Sequence, residues 1–379
     1  MQNESILIED YNPGKNDYGN ITSYEIYTLK SIKDYFFIAY SSIQTEGIVK
    51  IYKYNYSNNK IELSLILNNL NEVMKIKYFY EPISKKEYLF IQMKRALFIF
   101  LIKNEKEYVL IKDFRRGLGG ILSIFTKYFL AYPISDFEIC FNQYNNKSYL
   151  IISMYKNVGC MMKENEIHIF NFLNDDLILI KSFIYRSKYL IKFCLIYDDK
   201  YKKSLNLMLN LNDNNNILKI LELNDDIANI ENIQQIPRLN NIIKGFDEID
   251  DIKFNFVDKG CIIINDKNER NDIICLNCCD KLILIDLLMK KIIDIINLKN
   301  FLISKTMKSV VNSSNDKIIF LSLNEIFIFN VFNKQLLVKY NLKYGSLQRP
   351  IYLKKFSFNN SELLFIDGTD NKIRFILNK

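Results

Sequence analysis

Hydrophobic and polar positions alternate along most of this chain, and the alternation returns at intervals to one short phrase. Runs of Ile, Leu, Val, Phe and Tyr at every second position end on a polar turn residue. They read IVKIYKYN (48–55), ALFIFLIKN (96–104), EIHIFNFLN (166–174), NILKILELN (216–224), KLILIDLL (281–288), EIFIFNVFN (325–333) and KIRFILN (372–378). Period-two alternation of β-branched and aromatic residues is the pattern of a strand. Five of the six intervals between starts lie between 44 and 65 residues, and the longest, 70, contains a weaker copy, FEICFNQYN (137–145). Strand-like units at that spacing predict an all-β chain arranged as a β-propeller.

The last copy shows the layout of one unit: LKKFSFNN, then SELLFIDGTDN, then KIRFILNK, with Asp367-Gly368 supplying the turn chemistry of a short hairpin. Extending this layout along the chain places units at about 22–66, 72–112, 118–150, 150–184, 188–235, 250–297 and 303–341. A further unit, 350–378, supplies three strands, and SILIE (5–9) is expected to add the fourth and close the ring. Closure of that kind removes exposed sheet edges. Counting the short units 118–150 and 150–184 as one gives seven blades; counting them apart gives seven and a partial eighth. Seven blades in a single domain, 1–379, is the expectation. The stretches 12–21, 224–251 and 265–272 are rich in turn and charged residues and read as loops.

This layout resembles the WD40 repeat, whose third strand ends in Ile-x-Ile-Trp-Asp. Phe375 stands near the Trp position and Asn378 near the Asp position. Tyr52, Phe100, Phe170 and Phe329 fill the aromatic slot in other copies. The resemblance covers most of the chain and implies a propeller that binds other proteins through loops on one face, with the channel mouth and blade edges as candidate grooves.

Composition supports a large core: 49% of residues are hydrophobic and 25% charged. The chain has no Trp, only 5 Pro and 11 Gly, and abundant Asn, Ile, Lys and Tyr. That pattern follows A/T-rich codon usage, so the missing tryptophans do not count against a WD40-like repeat. The net charge of +8 is mild for 379 residues and is unevenly spread. Between Glu81 and Leu130, ten Lys or Arg face five acids, whereas 213–251 is acidic. Nucleic-acid binding wants a concentrated basic stripe and is not expected. The Tyr and Phe residues fall at strand positions and read as core packing rather than base-stacking platforms. The N-terminus lacks an apolar signal core, and no uncharged apolar run approaches membrane-spanning length. Seven cysteines without paired spacing fit a reducing compartment, so a cytoplasmic location is expected.

The sharpest chemical motif is Asp113-Phe114-Arg115-Arg116-Gly117, followed by Leu118-Gly119-Gly120. Paired guanidinium forks beside glycines suit a phosphate-bearing anion. Phe-Arg-Arg-Gly is similar to the hallmark of the PROPPIN family of seven-bladed propellers, and Leu130-Ala131-Tyr132-Pro133 matches a second sequence of that family. The resemblance implies phosphoinositide binding at autophagic or endosomal membranes, through Arg115, Arg116 and Gly117. In the family the arginine motif follows the Leu-Ala-Tyr-Pro sequence, whereas here it precedes it by 13 residues. At the family's own position this chain reads Phe183-Ile184-Tyr185-Arg186-Ser187, which makes Arg186 a further anion-binding candidate.

Cys275, Cys278 and Cys279, with Cys261 nearby, lack the second cysteine pair or histidine that a structural zinc site needs, and read as buried thiols. The only histidine, His168, alternates with Ile167 and Ile169 and is expected on the opposite strand face. Nucleophile-elbow, phosphate-loop and zinc-protease motifs are all absent. The sequence therefore predicts a non-catalytic, cofactor-free propeller serving as a protein-interaction scaffold. The alternative is a phosphoinositide-binding effector, peripheral to a membrane.

Overall fold

The protein is described by a computed structural model. It covers residues 6–11, 21–32, 35–42, 47–55, 60–115, 132–142, 145–158, 162–187, 192–197, 205–213, 216–223, 234–235, 261–265, 272–278, 281–286, 291–301, 308–311, 317–321, 325–331, 333–341, 352–358, 361–367 and 373–378. Among these residues the structure is all-β, with one short 3₁₀ turn at Leu298–Phe301. No helix of the described residues is long and apolar enough to cross a membrane.

The strands form seven four-stranded antiparallel sheets, grouped in two compact units. β1 (Ile6–Tyr11) belongs with the C-terminal strands. The unit Gly14–Lys192 holds three sheets. Its first is β2 (Ile21–Tyr27), β3 (Tyr35–Ser42), β4 (Val49–Asn55) and β5 (Lys60–Leu67). Its second is β6 (Val73–Glu81), β7 (Lys86–Met93), β8 (Ala96–Asn104) and β9 (Glu107–Arg115). Its third is β10 (Ile134–Asn142), β11 (Lys147–Val158), β12 (Met162–Leu173) and β13 (Asp176–Ser187). In each, neighbours in sequence are neighbours in the sheet.

The other unit holds four sheets. These are β14 (Lys192–Tyr197) to β17 (Gln234–Gln235) through β15 (Leu205–Asp213) and β16 (Asn216–Leu223); β18 (Cys261–Asn265), β19 (Asp272–Cys278), β20 (Lys281–Asp286) and β21 (Lys291–Asn297); and β22 (Lys308–Val311), β23 (Lys317–Leu321), β24 (Glu325–Asn330) and β25 (Gln335–Asn341). The last sheet is β26 (Tyr352–Phe358), β27 (Ser361–Asp367), β28 (Ile373–Asn378) and then β1, which pairs with β28 from Ile6↔Leu377 to Tyr11↔Ile373. The N-terminal strand thus completes a C-terminal sheet over 6–11, two residues beyond the expected end at 9, and residue 5 lies outside the described residues.

Every one of the seven repeated phrases is the third strand of its sheet. The weaker copy FEICFNQYN is different: residues 137–142 lie in β10, a first strand, and the described strands within 118–150 and 150–184 belong to the single sheet β10–β13. A first strand and a third strand share the same alternation, and only the non-local pairing tells them apart. Of the expected loops, 224–251 contains the two-residue strand β17 paired to Lys219 and Ile220, and 265–272 begins and ends in the paired residues Asn265 and Asp272. Residues 12–20 and the remaining parts of these loops lie outside the described residues.

Why β7 and β8 are nearly unbroken apolar runs follows from where their two faces point. Leu89, Ile91 and Met93 of β7, with Ala96, Phe98, Phe100 and Ile102 of β8, pack against Phe37, Ala39, Val49 and Ile51 of the first sheet. The alternate residues Tyr88, Phe90, Leu97 and Ile99 pack against Phe137, Ile139, Leu150, Ile152 and Phe172 of the third. The middle sheet is buried on both faces, so alternation of apolar and polar residues gives way to continuous hydrophobicity. Phe90 sits between Phe137, stacked at 6.0 Å, and Phe172, edge-on at 5.8 Å.

Candidate functional site

The first strands of the three sheets in the unit Gly14–Lys192 each carry a β-bulge near their start, after Ile21, Val73 and Ile134. The residue that resumes the ladder is Ser23, Lys75 or Asp136, so these three hold the same place in successive sheets. Their strands are joined by side-chain hydrogen bonds. Ser23 Oγ accepts the Ile76 N–H at 2.9 Å, and Lys75 Nζ donates to Asp136 Oδ1 at 2.9 Å and to the Phe137 carbonyl at 2.6 Å. Glu138 Oε2 lies 3.6 Å from Lys75 Nζ, and Glu138 also pairs with Lys77. Asp136 and Glu138 are buried, and burial of a carboxylate is tolerated when cations and hydrogen bonds surround it. The cluster satisfies itself and holds adjacent sheets in register.

A second set of polar contacts joins hairpin tips to the preceding sheet. Asp175, at the β12–β13 turn with φ +68°, accepts from Lys86 Nζ at 2.5 Å and Tyr88 Oη at 2.7 Å. Burial works against ionisation of Asp175, but these two donors outweigh it and hold its carboxyl below the usual range. Glu105, at the β8–β9 turn, takes Lys53 Nζ at 2.7 Å in the same way. In the other unit the polarity is reversed, with Lys334 at the β24–β25 turn 2.7 Å from Asp294 of β21. Tyr27, Tyr78 and Tyr108 form a buried phenol network anchored on Glu87, with Tyr27 and Tyr108 oxygens 2.7 Å apart and Tyr78 donating to Glu87 at 2.6 Å. Burial first, and then the neighbouring acid and phenols, raise the pKa of Tyr27 and Tyr78, so neither is poised as a base.

The fourth strands carry exposed apolar residues. In five sheets the pairing of third and fourth strands breaks at the same point, with one extra residue in the fourth: Ser64, Ile111, Ile180, Ile293 and Leu337. The third-strand residue just past the break is Tyr52, Phe100, Phe170, Ile285 or Phe329, which is the aromatic slot in four of the five. In the last sheet the break falls between Phe375 and Ile376, so Ile376 holds the equivalent place. Tyr52, Phe100, Phe170 and Phe329 are buried. A bulge of this kind twists an edge strand and re-aims its side chains. The fourth-strand partner of the aromatic slot in the three sheets of the unit Gly14–Lys192 is Leu63, Leu110 or Leu179, and these are 50%, 42% and 43% exposed.

No known family profile matches this chain, and no curated protein matches it. Among solved structures it is similar to the AfRom2 CNH domain, with a TM-score of 0.54 over 99% of each chain at 9% sequence identity. The fold is propeller-like. At that identity the likeness speaks for architecture alone.

Within this propeller-like frame the sequence-derived anion candidates are not gathered into one place by the described residues. Arg115 is the last residue of β9, paired with Ala96, and follows the buried Phe114. Arg116 and Gly117 lie outside the described residues, as do Leu130 and Ala131. Arg186 is in β13, paired with Glu164, one sheet further along the chain. Among the described residues no group of three or more metal-capable side chains is present. Cys261, Cys275 and Cys278 are strand residues of β18 and β19, and Cys279 lies outside the described residues. His168 is on the face of β12 opposite the buried Ile167 and Ile169, with Nε2 3.1 Å from Glu166 Oε1 but without the alignment of a hydrogen bond. Sequence reasoning missed the Lys75–Asp136 cluster and the exposed leucines, because both depend on which strands lie together.

Proposed function

We propose that this chain is a non-catalytic, WD40-like β-propeller of seven blades, closed by β1, which acts in the cytoplasm as a scaffold for other proteins. The observation that carries the reading is the recurrence of Leu63, Leu110 and Leu179, exposed at one equivalent position on three outermost strands. Isolated exposed leucines are ordinary, but a repeated series on strands that come last in their sheets among the described residues is the kind of surface that other chains cover. The buried charges among the described residues, by contrast, are spent on one another between sheets. Blade edges, rather than loops, are therefore the working surface.

The test is affinity purification of the wild-type chain beside L63E/L110E/L179E, read by quantitative mass spectrometry. A stoichiometric partner retained by wild type and lost from the triple variant supports the scaffold. A partner set unchanged by the substitutions contradicts it.

Phosphoinositide binding is the second reading, favoured by the motif Phe114-Arg115-Arg116-Gly117 at the close of an outermost strand. Flotation with liposomes containing phosphatidylinositol 3-phosphate should then depend on Arg115 and Arg116. Binding that is absent, or indifferent to Arg115→Thr with Arg116→Thr, removes it.

A further inference from the structure

The net charge of this chain belongs to one of its two units. Residues 14–192 carry 25 Lys or Arg against 17 Asp or Glu, whereas the rest of the chain balances at 26 of each. In an antiparallel four-stranded sheet the first and last turns lie at the same end, and side chains tie these turns together across the three sheets of that unit. The Lys30 N–H, at the β2–β3 turn, donates to Glu87 of β7 at 2.8 Å. Ser148, beside the β10–β11 turn, donates to Glu81 at 3.2 Å, and Asp175 of the β12–β13 turn takes Lys86 and Tyr88.

The described carboxylates of this end are engaged. Glu105, Glu107, Asp175 and Asp176 each pair with a lysine, and Glu81 and Glu87 accept from hydroxyl and N–H groups. Three cations are left over. Lys85, Lys106 and Lys147, at the β6–β7, β8–β9 and β10–β11 turns, are exposed and have no acidic partner among the described residues. Residues 33–34, 56–59 and 143–144 lie outside the described residues; they read KD, YSNN and QY and add no net charge.

Beside these lysines the β6–β7 turn carries an apolar tip, with Pro82 exposed and Ile83 52% exposed. A peptide partner needs a groove or a sheet edge, which a hairpin tip is not. The rings of Tyr35 and Tyr80 at this end have Lys53 and Lys30 over them, at 4.0 and 5.3 Å, which disfavours stacking of a nucleic-acid base. Lysines around a small apolar tip suit a bilayer surface, where anionic headgroups meet the cations and the apolar side chain enters the interface.

We infer that this end of the unit Gly14–Lys192 docks on an anionic lipid bilayer, through Lys85, Lys106 and Lys147 with Ile83 inserted. The inference goes beyond the scaffold reading, since it uses turns and not the fourth-strand leucines. It is also separate from the arginine motif, because Arg115 closes β9 at the opposite end of its sheet.

The chain has no Trp, so Ile83→Trp supplies a single fluorophore at the tip. The full chain is sedimented with phosphatidylcholine vesicles, with and without phosphatidylserine. Binding is expected only with phosphatidylserine, together with a blue shift of the introduced indole. Each lysine near an anionic surface is worth roughly fivefold in partitioning, so Lys85→Asn, Lys106→Gln and Lys147→Gln together should weaken binding about 100-fold. Asparagine is chosen at 85 because it tolerates the φ of +56° there. Lys94→Gln with Arg95→Gln, at the β7–β8 turn of the opposite end, should change binding by less than about threefold. Circular-dichroism melts confirm that each variant is folded, and wild-type sedimentation carries the test if Ile83→Trp is not. Absence of binding to phosphatidylserine vesicles, an unshifted indole in sedimented chain, or equal loss from the Lys94, Arg95 variant overturns the inference. Binding that requires phosphatidylinositol 3-phosphate and both Arg115 and Arg116 overturns it too, and assigns membrane contact to the arginine motif. So does a lysine variant that loses a protein partner but keeps the vesicles, which would give this end to an acidic protein.

Discussion

Lys75 Nζ lies 2.9 Å from Asp136 Oδ1, joining the first strand of one sheet to the first strand of the next across 61 residues of sequence. Asp136 is 1% exposed, so losing the cation beside it is poorly screened by water. Lys75→Met should remove a charged partner from a buried carboxylate and cost about 3 kcal/mol. Lys75→Met with Asp136→Leu should recover a large part of that loss, since two well-packed apolar residues carry no desolvation penalty. Urea unfolding of both variants checks this; a double variant less stable than the single would contradict it.

Gly47 occupies a position that only glycine fits. Its φ is +82°, and a Cβ there would lie 2.4 Å from the carbonyl oxygen of Leu70, whose N–H bonds the Gly47 carbonyl at 2.9 Å. Both atoms are backbone, so neither moves freely. Gly47→Ala should cost about 2 kcal/mol or more through strain and steric conflict, and thermal unfolding should show a lowered midpoint. An unchanged midpoint would mean that this turn yields.

His168 is the only histidine, so its imidazole resonance can be followed alone by NMR. Burial lowers its pKa and the nearby Glu166 only partly offsets this, so the folded midpoint should fall below the ordinary value of about 6.5. The unfolded chain then binds the proton more readily. Stability from this site is present above about pH 6.5 and declines as pH falls through the folded midpoint. His168→Gln should flatten that acid limb. A folded midpoint above the ordinary value would show that Glu166 dominates.

The third strands were legible in sequence because their pattern is local. IVKIYKYN, ALFIFLIKN and EIFIFNVFN alternate within themselves, and Tyr52, Phe100 and Phe329 stand in the slot that the structure places beside the fourth-strand bulge. FEICFNQYN has the same alternation and yet forms a first strand, since a strand's rank in its sheet is set by partners outside it. The pairing of Lys75 with Asp136 was invisible for the same reason. Residues 183–187 offer a single arginine in sequence, whereas their uninterrupted register with β12 depends on a partner strand and is not legible there.

Cross-linking mass spectrometry of the chain with a co-purified partner tests the central claim most directly, because lysines mark both the outermost strands and the turns. The account predicts intermolecular cross-links concentrated on Lys60, Lys112 and Lys181, which lie in β5, β9 and β13. Cross-links confined to Lys30, Lys85, Lys94 and Lys106, which lie at turns between strands, would contradict it and return the working surface to the loops.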